Sequence, residues 1–166
     1  MASWKNPTQN GCVKRRSTNT NFIVAYQEVI SFLDKNTPVD IIYIDFQKAF
    51  DTVSHDLLLL KLERFGVSGM LIRWLRGYLQ GRSFKVRIEE ETSEWHPVLS
   101  GVPQGSVLSP LLFSLYVADM PDGKCTTPYQ FADDHKRVCP VNGQESHQCI
   151  QEDLNTLYEW VTTWQL

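Results

Sequence analysis

Three carboxylates stand in surroundings that do not suit them. Asp45 falls near the end of the apolar run VDIIYIDF (39–46), and the adjacent Asp133 and Asp134 lie between short apolar stretches in PYQFADDHKRV (128–138). A buried carboxylate without a partner costs on the order of several kcal/mol, so such residues require a cation, hydrogen bonds or a proton. A hard divalent cation meets that need, because Mg²⁺ takes a few carboxylate oxygens together with water and substrate phosphates. Two such ions about 4 Å apart would activate an attacking oxygen and stabilise a leaving one in phosphoryl transfer. Taken alone, an Asp-Asp pair is more often a polar turn, and a strand-end Asp more often caps a neighbouring loop. The residues around them decide between the two.

The elements that must position these groups are legible in outline. From about Thr18 to Lys35, Phe22, Tyr26, Val29, Ile30 and Leu33 fall at helical spacing, and Pro38 marks a break. The β-branched and aromatic residues of 39–46 predict a buried central strand with Asp45 near its end. Helices are expected over about Asp56 to Phe65, stopping at Gly66, and Met70 to Leu79, stopping at Gly81. Residues 83–89 alternate, with Phe84, Val86 and Ile88 on one face, which predicts a half-exposed strand; Glu94 to Leu99 return as its hairpin partner. After the loop SGVPQG (100–105), Ser109 offers an N-cap and Pro110 a first-turn proline for a buried helix. The Asp pair is placed at or near a hairpin tip. A last helix, about Ser146 to Leu166, carries the stripe Ile150, Leu154, Leu157, Val161 and Trp164, with Trp160 beside it. Helices alternating with strands and hairpins predict an α+β sandwich, of which the split βαβ arrangement is one member, with a sheet covered by helices on one face.

Composition bounds this picture. A chain of 166 residues, 42% hydrophobic and 21% charged, suits one globular domain and excludes wholesale disorder. There is no run of eighteen apolar residues and no apolar h-region at the N-terminus, so neither a membrane span nor a secretory signal is expected, and an intracellular site, nuclear or cytoplasmic, follows. The net charge of −3 argues weakly against a stand-alone nucleic-acid binder. Cys12, Cys125, Cys139 and Cys149 show no metal-binding spacing, His147 with Cys149 lacks a second ligand pair, and free thiols are expected.

Three segments together carry a resemblance. YIDFQKAFDTVSH (43–55), SGVPQGSVLSPLLF (100–113) and FADD (131–134), in this order, resemble the central palm motifs of reverse transcriptases, in the form found in non-LTR retrotransposons and their group II intron relatives. The likeness runs from about Gln9 to Leu166. It implies a polymerase palm, a split βαβ or RRM-like sheet covered by helices, with partial fingers and no thumb. Residues 1–37 would be fingers and palm lead-in, 38–145 the palm, and 146–166 a palm helix. It implies that Asp45, Asp133 and Asp134 are the catalytic metal ligands, with the backbone carbonyl of Phe46 beside Asp45. Phe50, five residues after Asp45, would lie under the incoming sugar and disfavour a 2′-hydroxyl, and Gln104 with Gly105 would pack against the incoming nucleotide and template base. The implied reaction is RNA-directed DNA synthesis. A primer 3′-hydroxyl attacks the α-phosphate of a dNTP on an RNA template, with two Mg²⁺ ions, or Mn²⁺ in their place.

Other residues and departures qualify the resemblance. Lys14-Arg15-Arg16, and Arg82, Lys85 and Arg87 on the hairpin, offer phosphate contacts or merely solvated basic faces. Trp160 and Trp164 are expected to pack rather than stack on bases, and His55 to make a structural hydrogen bond. The family's aromatic and Arg after the first glycine are replaced by Cys12 and Val13 after Gly11. His135, Lys136 and Arg137 place unusual positive charge after the Asp pair. The family's upstream fingers, lysine-bearing motif, primer grip and thumb have no counterpart in these residues, so little processive activity is expected of the chain alone, and exposed apolar surface including Trp160 and Trp164. A catalytically silent retroelement remnant, binding nucleic acid at most, is the alternative. Other palm enzymes are disfavoured, RNA-dependent RNA polymerases by Phe50 and nucleotide cyclases by SGVPQG.

Overall fold

The structure, a computed structural model, describes residues 17–166. Gly11 to Arg16, with the basic run Lys14-Arg15-Arg16, lie outside the described residues. Helix α1 (Thr18–Leu33) starts where the Ser17 hydroxyl accepts from the Thr20 N–H, and gives way to a left-handed Asn36 ahead of Pro38. Strand β1 (Val39–Ile44) follows, and much later the hairpin of β6 (Thr127–Phe131) and β7 (Asp134–Pro140). These three form one antiparallel sheet in the order β1-β7-β6, with Ile41 opposite Val138, Tyr43 opposite Lys136, and Lys136 opposite Tyr129.

The apolar run 39–46 is therefore not a buried central strand. β1 is an edge among the described strands, with Tyr43 75% and Ile41 41% exposed. Side-chain type reports a preference for the pleated state, not a place in the sheet. The centre goes to β7, whose buried residues include His135 and Arg137.

Alternate residues of the sheet face two layers. On one side Tyr129, Val138 and Val39 pack against Ala25, Val29 and Phe32 of α1. This face of α1 is rotated from the expected stripe. Phe22, Tyr26, Ile30 and Leu33 are exposed, and Asn21 and Ala25 are buried instead. The helix is apolar nearly all round, so periodicity alone leaves its rotation open. Contact is set by the small Ala25 and by Asn21, whose amide donates to the Gln130 carbonyl at 3.2 Å.

On the other side lies the larger core, built from α2 (Ala49–Thr52), α3 (His55–Arg64), α4 (Gly69–Leu79), α5 (Ser109–Tyr116) and α6 (Gln144–Trp164). Helices thus cover both faces of the sheet, α1 being the addition to the expected single layer. Ser109 does not cap α5. It is the first helical residue, and its hydroxyl donates to the Pro103 carbonyl at 2.5 Å. Between α4 and α5 the expected hairpin exists only as two short ladders, β2 (Ser83–Phe84) with β5 (His96–Pro97) and β3 (Arg87–Ile88) with β4 (Glu91–Thr92). Ser93 ties Val86 through both its backbone N–H and its hydroxyl, which interrupts the ladder. Phe84, Val86 and Ile88 remain exposed, so their alternation lacks a covering layer. Among the described residues no helix is long and apolar enough to cross a membrane.

Two of the four cysteines are joined. Cys125 and Cys149 form a disulfide with their Cα atoms 6.0 Å apart, against the expectation of free thiols, whereas Cys139 is free and buried. The pairing has a cause that spacing does not reveal. Asp153 of α6 accepts from the N–H groups of Lys124 and Cys125, each at 2.9 Å, and from the Thr126 hydroxyl, which draws the segment before β6 onto α6.

Lys61 of α3 is 1% exposed in the large core. Its ammonium group bonds the Tyr116 carbonyl and the Asp119 carboxylate and lies 3.7 Å from the centre of the Trp164 ring and 4.4 Å from that of Trp160. The two tryptophans therefore pack, as expected, but Trp164 is buried and Trp160 half-buried rather than exposed. Exposed apolar residues are found instead on α1, on α4 at Met70, Leu71 and Trp74, and at Leu99 and Val107, besides those of β1 and the short ladders.

The loop after β1 is stitched to the loop before α5. Gly101 N–H donates to the Val53 carbonyl and Val102 N–H to that of Phe50, both at 2.8 Å, and the Ser100 hydroxyl donates to the Asp51 carbonyl at 2.7 Å. The Gly101 carbonyl in turn meets the buried His55 ring at 2.9 Å, the structural role expected of it, and Arg82 at 3.0 Å. Arg82 is thereby committed to the loop rather than to a basic surface. Gly101 has φ +88°, and a Cβ there would sit 2.8 Å from the Asp51 backbone.

Two stability measurements follow. Gly101→Ala is expected to lose about 2 kcal/mol or more in urea unfolding. Gly105→Ala, equally left-handed at φ +80° but open around the Cβ, should lose less; equal losses would contradict the close approach. Burial pushes the Lys61 pKa down to about 8, against the Asp119 hydrogen bond and charge, which raise it, and with Arg64, which lowers it further. The unfolded chain then binds the extra proton above pH 8, so stability rises with pH from 8 to 9, towards ~1.4 kcal/mol per unit. Above that, burial of Cys139, pushed up to about 11, opposes the gain. Lys61→Met should flatten the profile; an equally flat wild-type profile would refute this.

Candidate active site

The end of the sheet gathers the carboxylates. β1 ends at Ile44, which pairs with His135, so the next residue, Asp45, stands beside Asp134, the first residue of β7. Asp133 occupies the two-residue turn between β6 and β7, after Ala132 in the left-handed conformation at φ 55°. Asp45 and Asp134 line one cleft of about 400 Å³, roofed by Phe22 and Asn21 of α1 and walled by Tyr43 and Lys136. Among the described residues none of the three carboxylates takes part in a side-chain hydrogen bond or an ion pair within 4.0 Å.

Their chemistry suits a hard divalent ion, being all carboxylate oxygen, with no hydrogen-bonded or ion-paired side chain among the described residues to compete for it. Their spacing is open: among the described residues no group of three or more His, Cys, Asp or Glu side chains is placed to hold a metal ion. Phe46 has its side chain in the large core, which leaves its backbone as the part that can face the site.

The positive charge expected beside the pair is largely dispersed. Arg137 is fully buried, donating to the Thr126 hydroxyl at 2.9 Å and the Pro121 carbonyl at 2.8 Å. His135 is buried with both ring nitrogens unpartnered, and burial, reinforced by Arg137, pushes its pKa down to about 4, so it is neutral at ordinary pH. Among the described residues that line the cleft, Lys136 is the one cation, 5.4 Å from the Phe22 ring. Burial lowers its pKa, and the Asp134 charge opposes that shift. Away from the cleft, Arg87 donates to the Glu89 carbonyl and Lys85 lies 5.1 Å from the Trp95 ring.

A second cleft of about 440 Å³ brings together Phe50, Gln104 and Gly105, with Ser106 and Val107. Phe50 also stacks on Phe113 with ring centres 4.6 Å apart, so one face packs while the residue still lines the cleft. Gln104 donates its amide to the Asp51 carboxylate at 2.9 Å. The structure thus brings Asp45 and Asp134 to one cleft and Phe50, Gln104 and Gly105 to another, with no lining residue in common, whereas Asp133 and Phe46 line neither.

Sequence reasoning missed Asn21, which roofs the first cleft, and Asp51, which holds Gln104. Asn21 carries no signal in an apolar stripe. Asp51 is part of the AFD segment that follows Asp45, and a polar residue directly after a core aromatic was the available sign.

Known proteins share this fold or align with this sequence. A telomerase from Candida albicans, solved in complex with a fragment of telomeric RNA, superposes with a TM-score of 0.71 over 96% of this chain and 30% of its own, at 13% identity. An apo telomerase from Candida tropicalis gives 0.61 over 90% and 32%. These likenesses show the fold, an α+β polymerase palm. The RNA-directed DNA polymerase from the mobile element jockey of Drosophila funebris is 33% identical over 146 residues, which is 81% of this chain and 16% of that protein. The jockey enzyme of Drosophila melanogaster is 31% identical over 75% of this chain and 14% of its own length. A polyprotein of the R2 retrotransposable element from Popillia japonica is 26% identical over 74% and 17%. The chain therefore spans about a sixth of the length of these relatives. The family described as reverse transcriptase (RNA-dependent DNA polymerase) matches residues 5–166. A palm sheet with paired carboxylates at its end, matched along almost the whole chain, makes this protein a member of the reverse transcriptase family, with non-LTR retrotransposon polymerases as its relatives.

Proposed function

We propose that the chain is the palm-centred part of an RNA-directed DNA polymerase, with 1–37 leading into the palm, 38–145 forming it, and 146–166 its closing helix. The carrying observation is the convergence of Asp45 and Asp134 on one cleft, with Asp133 in the adjoining turn. Asp45, Asp133 and Asp134, with the Phe46 carbonyl, would hold divalent cations, Mg²⁺ or Mn²⁺. Bound there, the ions supply charge neutralisation at the phosphoryl oxygens and a more acidic primer hydroxyl. The chain's own residues position the reactants. Phe50 presents a flat wall that would exclude a ribose 2′-hydroxyl, and Gln104 and Gly105 line the same cleft, where a dNTP sugar and base would rest. An RNA template and DNA primer would complete the assembly. The open spacing of the carboxylates favours a second reading, a catalytically silent relative that retains only nucleic-acid binding.

Metal binding separates the two. Substoichiometric Mn²⁺ should broaden the amide resonances of residues 44–46 and 131–135 selectively, Mg²⁺ should compete, and Asp45→Asn or Asp133→Asn should abolish the effect without lowering the melting temperature. Uniform broadening, or none, would favour the silent reading. On an RNA template with a DNA primer, the chain alone should add few nucleotides per binding event; long products lost in Asp133→Asn would contradict that expectation.

A further inference from the structure

The geometry points to Asp51 as the positioning residue that sets which way the Gln104 amide faces in the second cleft. This inference rests on the proposed nucleotide-binding function and deepens it. A carboxylate only accepts hydrogen bonds, whereas an amide offers an acceptor at one end and two donors at the other. With Asp51 accepting from Gln104 at 2.9 Å, the amide nitrogen is fixed towards α2, and the amide oxygen is turned the other way, available to a ligand beside the second N–H.

Asp51 is itself held from three directions. Its N–H donates to the Lys48 carbonyl at 2.7 Å, its carbonyl accepts from the Ser100 hydroxyl at 2.7 Å, and Gly101 packs directly on its backbone. The residue before it, Phe50, lines the cleft that Gln104 lines, and its carbonyl is fixed by Val102. One short segment therefore carries the wall of the cleft and the group that orients the opposite side chain. The cleft then presents an oriented acceptor beside a flat aromatic wall, which selects a ligand with a hydrogen-bond donor next to an apolar ring face. A nucleotide has both.

The Asp51 side chain is exposed, so its bond to Gln104 contributes little to stability, which separates a positioning role from a structural one. Asp51→Asn keeps the size and removes the discrimination between amide ends. Titration of the 166-residue chain with dATP and Mg²⁺ should show affinity reduced about five- to tenfold in Asp51→Asn and similarly in Gln104→Ala, with Asp51→Asn adding nothing further in the Gln104→Ala background. Melting should be unaltered, and the Gln104 side-chain amide proton resonances should move in Asp51→Asn. Independent, additive losses, unchanged affinity in Asp51→Asn, or unmoved Gln104 amide resonances would overturn the inference while leaving the nucleotide site standing. Absence of dATP binding by the unaltered chain would overturn the function it rests on, and the inference with it.

Discussion

Two backbone hydrogen bonds, Gly101 to Val53 and Val102 to Phe50, fix the geometry on which both clefts depend. They join segments some fifty residues apart in sequence, and they are possible only because residue 101 has no side chain. One partner segment runs directly on from Asp45 at the end of the sheet. The other runs into the Gln104–Gly105 turn and then α5. Through this lock the position of the carboxylate end of the sheet and that of the second cleft are no longer independent. His55 and Arg82 both bind the Gly101 carbonyl, so α3 and the end of α4 are referred to the same point. Neutral hydrogen bonds of this kind contribute only about 1 kcal/mol each. Their value lies in being gathered at two adjacent residues, Gly101 and Val102.

Much of the element order was legible because apolar periodicity and terminators are local properties. The limits of α3, α4 and α6, and the Asp pair at a hairpin, follow from residues within a few positions of each other. What escaped was set by contacts across the chain. The rotation of α1 is decided by Ala25 and Asn21 meeting β6 and β7, and a helix with Phe22, Ile23 and Val24 in succession cannot announce that. The edge position of β1 depends on β7, which follows it by some ninety residues. The Cys125–Cys149 bond depends on Asp153 gathering backbone N–H groups, and Ser109 bonds back to Pro103 rather than capping. Of the candidate site, residue types and motif order singled out the carboxylates and the Phe50–Gln104 pair. The grouping into two clefts, and Asp51 between them, required the fold.

The charge distribution around the carboxylates is also a product of burial. Three consecutive residues that read as basic after the Asp pair become one neutral ring, one surface cation and one guanidinium sealed in the interior. Arg137 is compensated within its own layer. Burial pushes the Asp153 pKa up, but the Lys124 and Cys125 N–H groups, the Thr126 hydroxyl and Arg137 together outweigh it and hold that carboxyl below its usual range. The fold thus keeps most of this positive charge from neutralising the acidic end of the sheet. Lys61 shows a related economy elsewhere, its charge shared between Asp119 and three aromatic rings.

The disulfide has a topological consequence for the acidic hairpin. Cys125 precedes β6 and Cys149 follows β7, so both strands and the turn bearing Asp133 and Asp134 lie inside a covalent ring, its two cysteines 24 positions apart. Closing a loop of this size removes about 3 kcal/mol of conformational freedom from the unfolded chain. The strands facing each other across the carboxylate turn remain tethered even when helices and edge strand have let go. A partly opened chain therefore keeps the two strands, and the aspartates between them, within one short covalent loop.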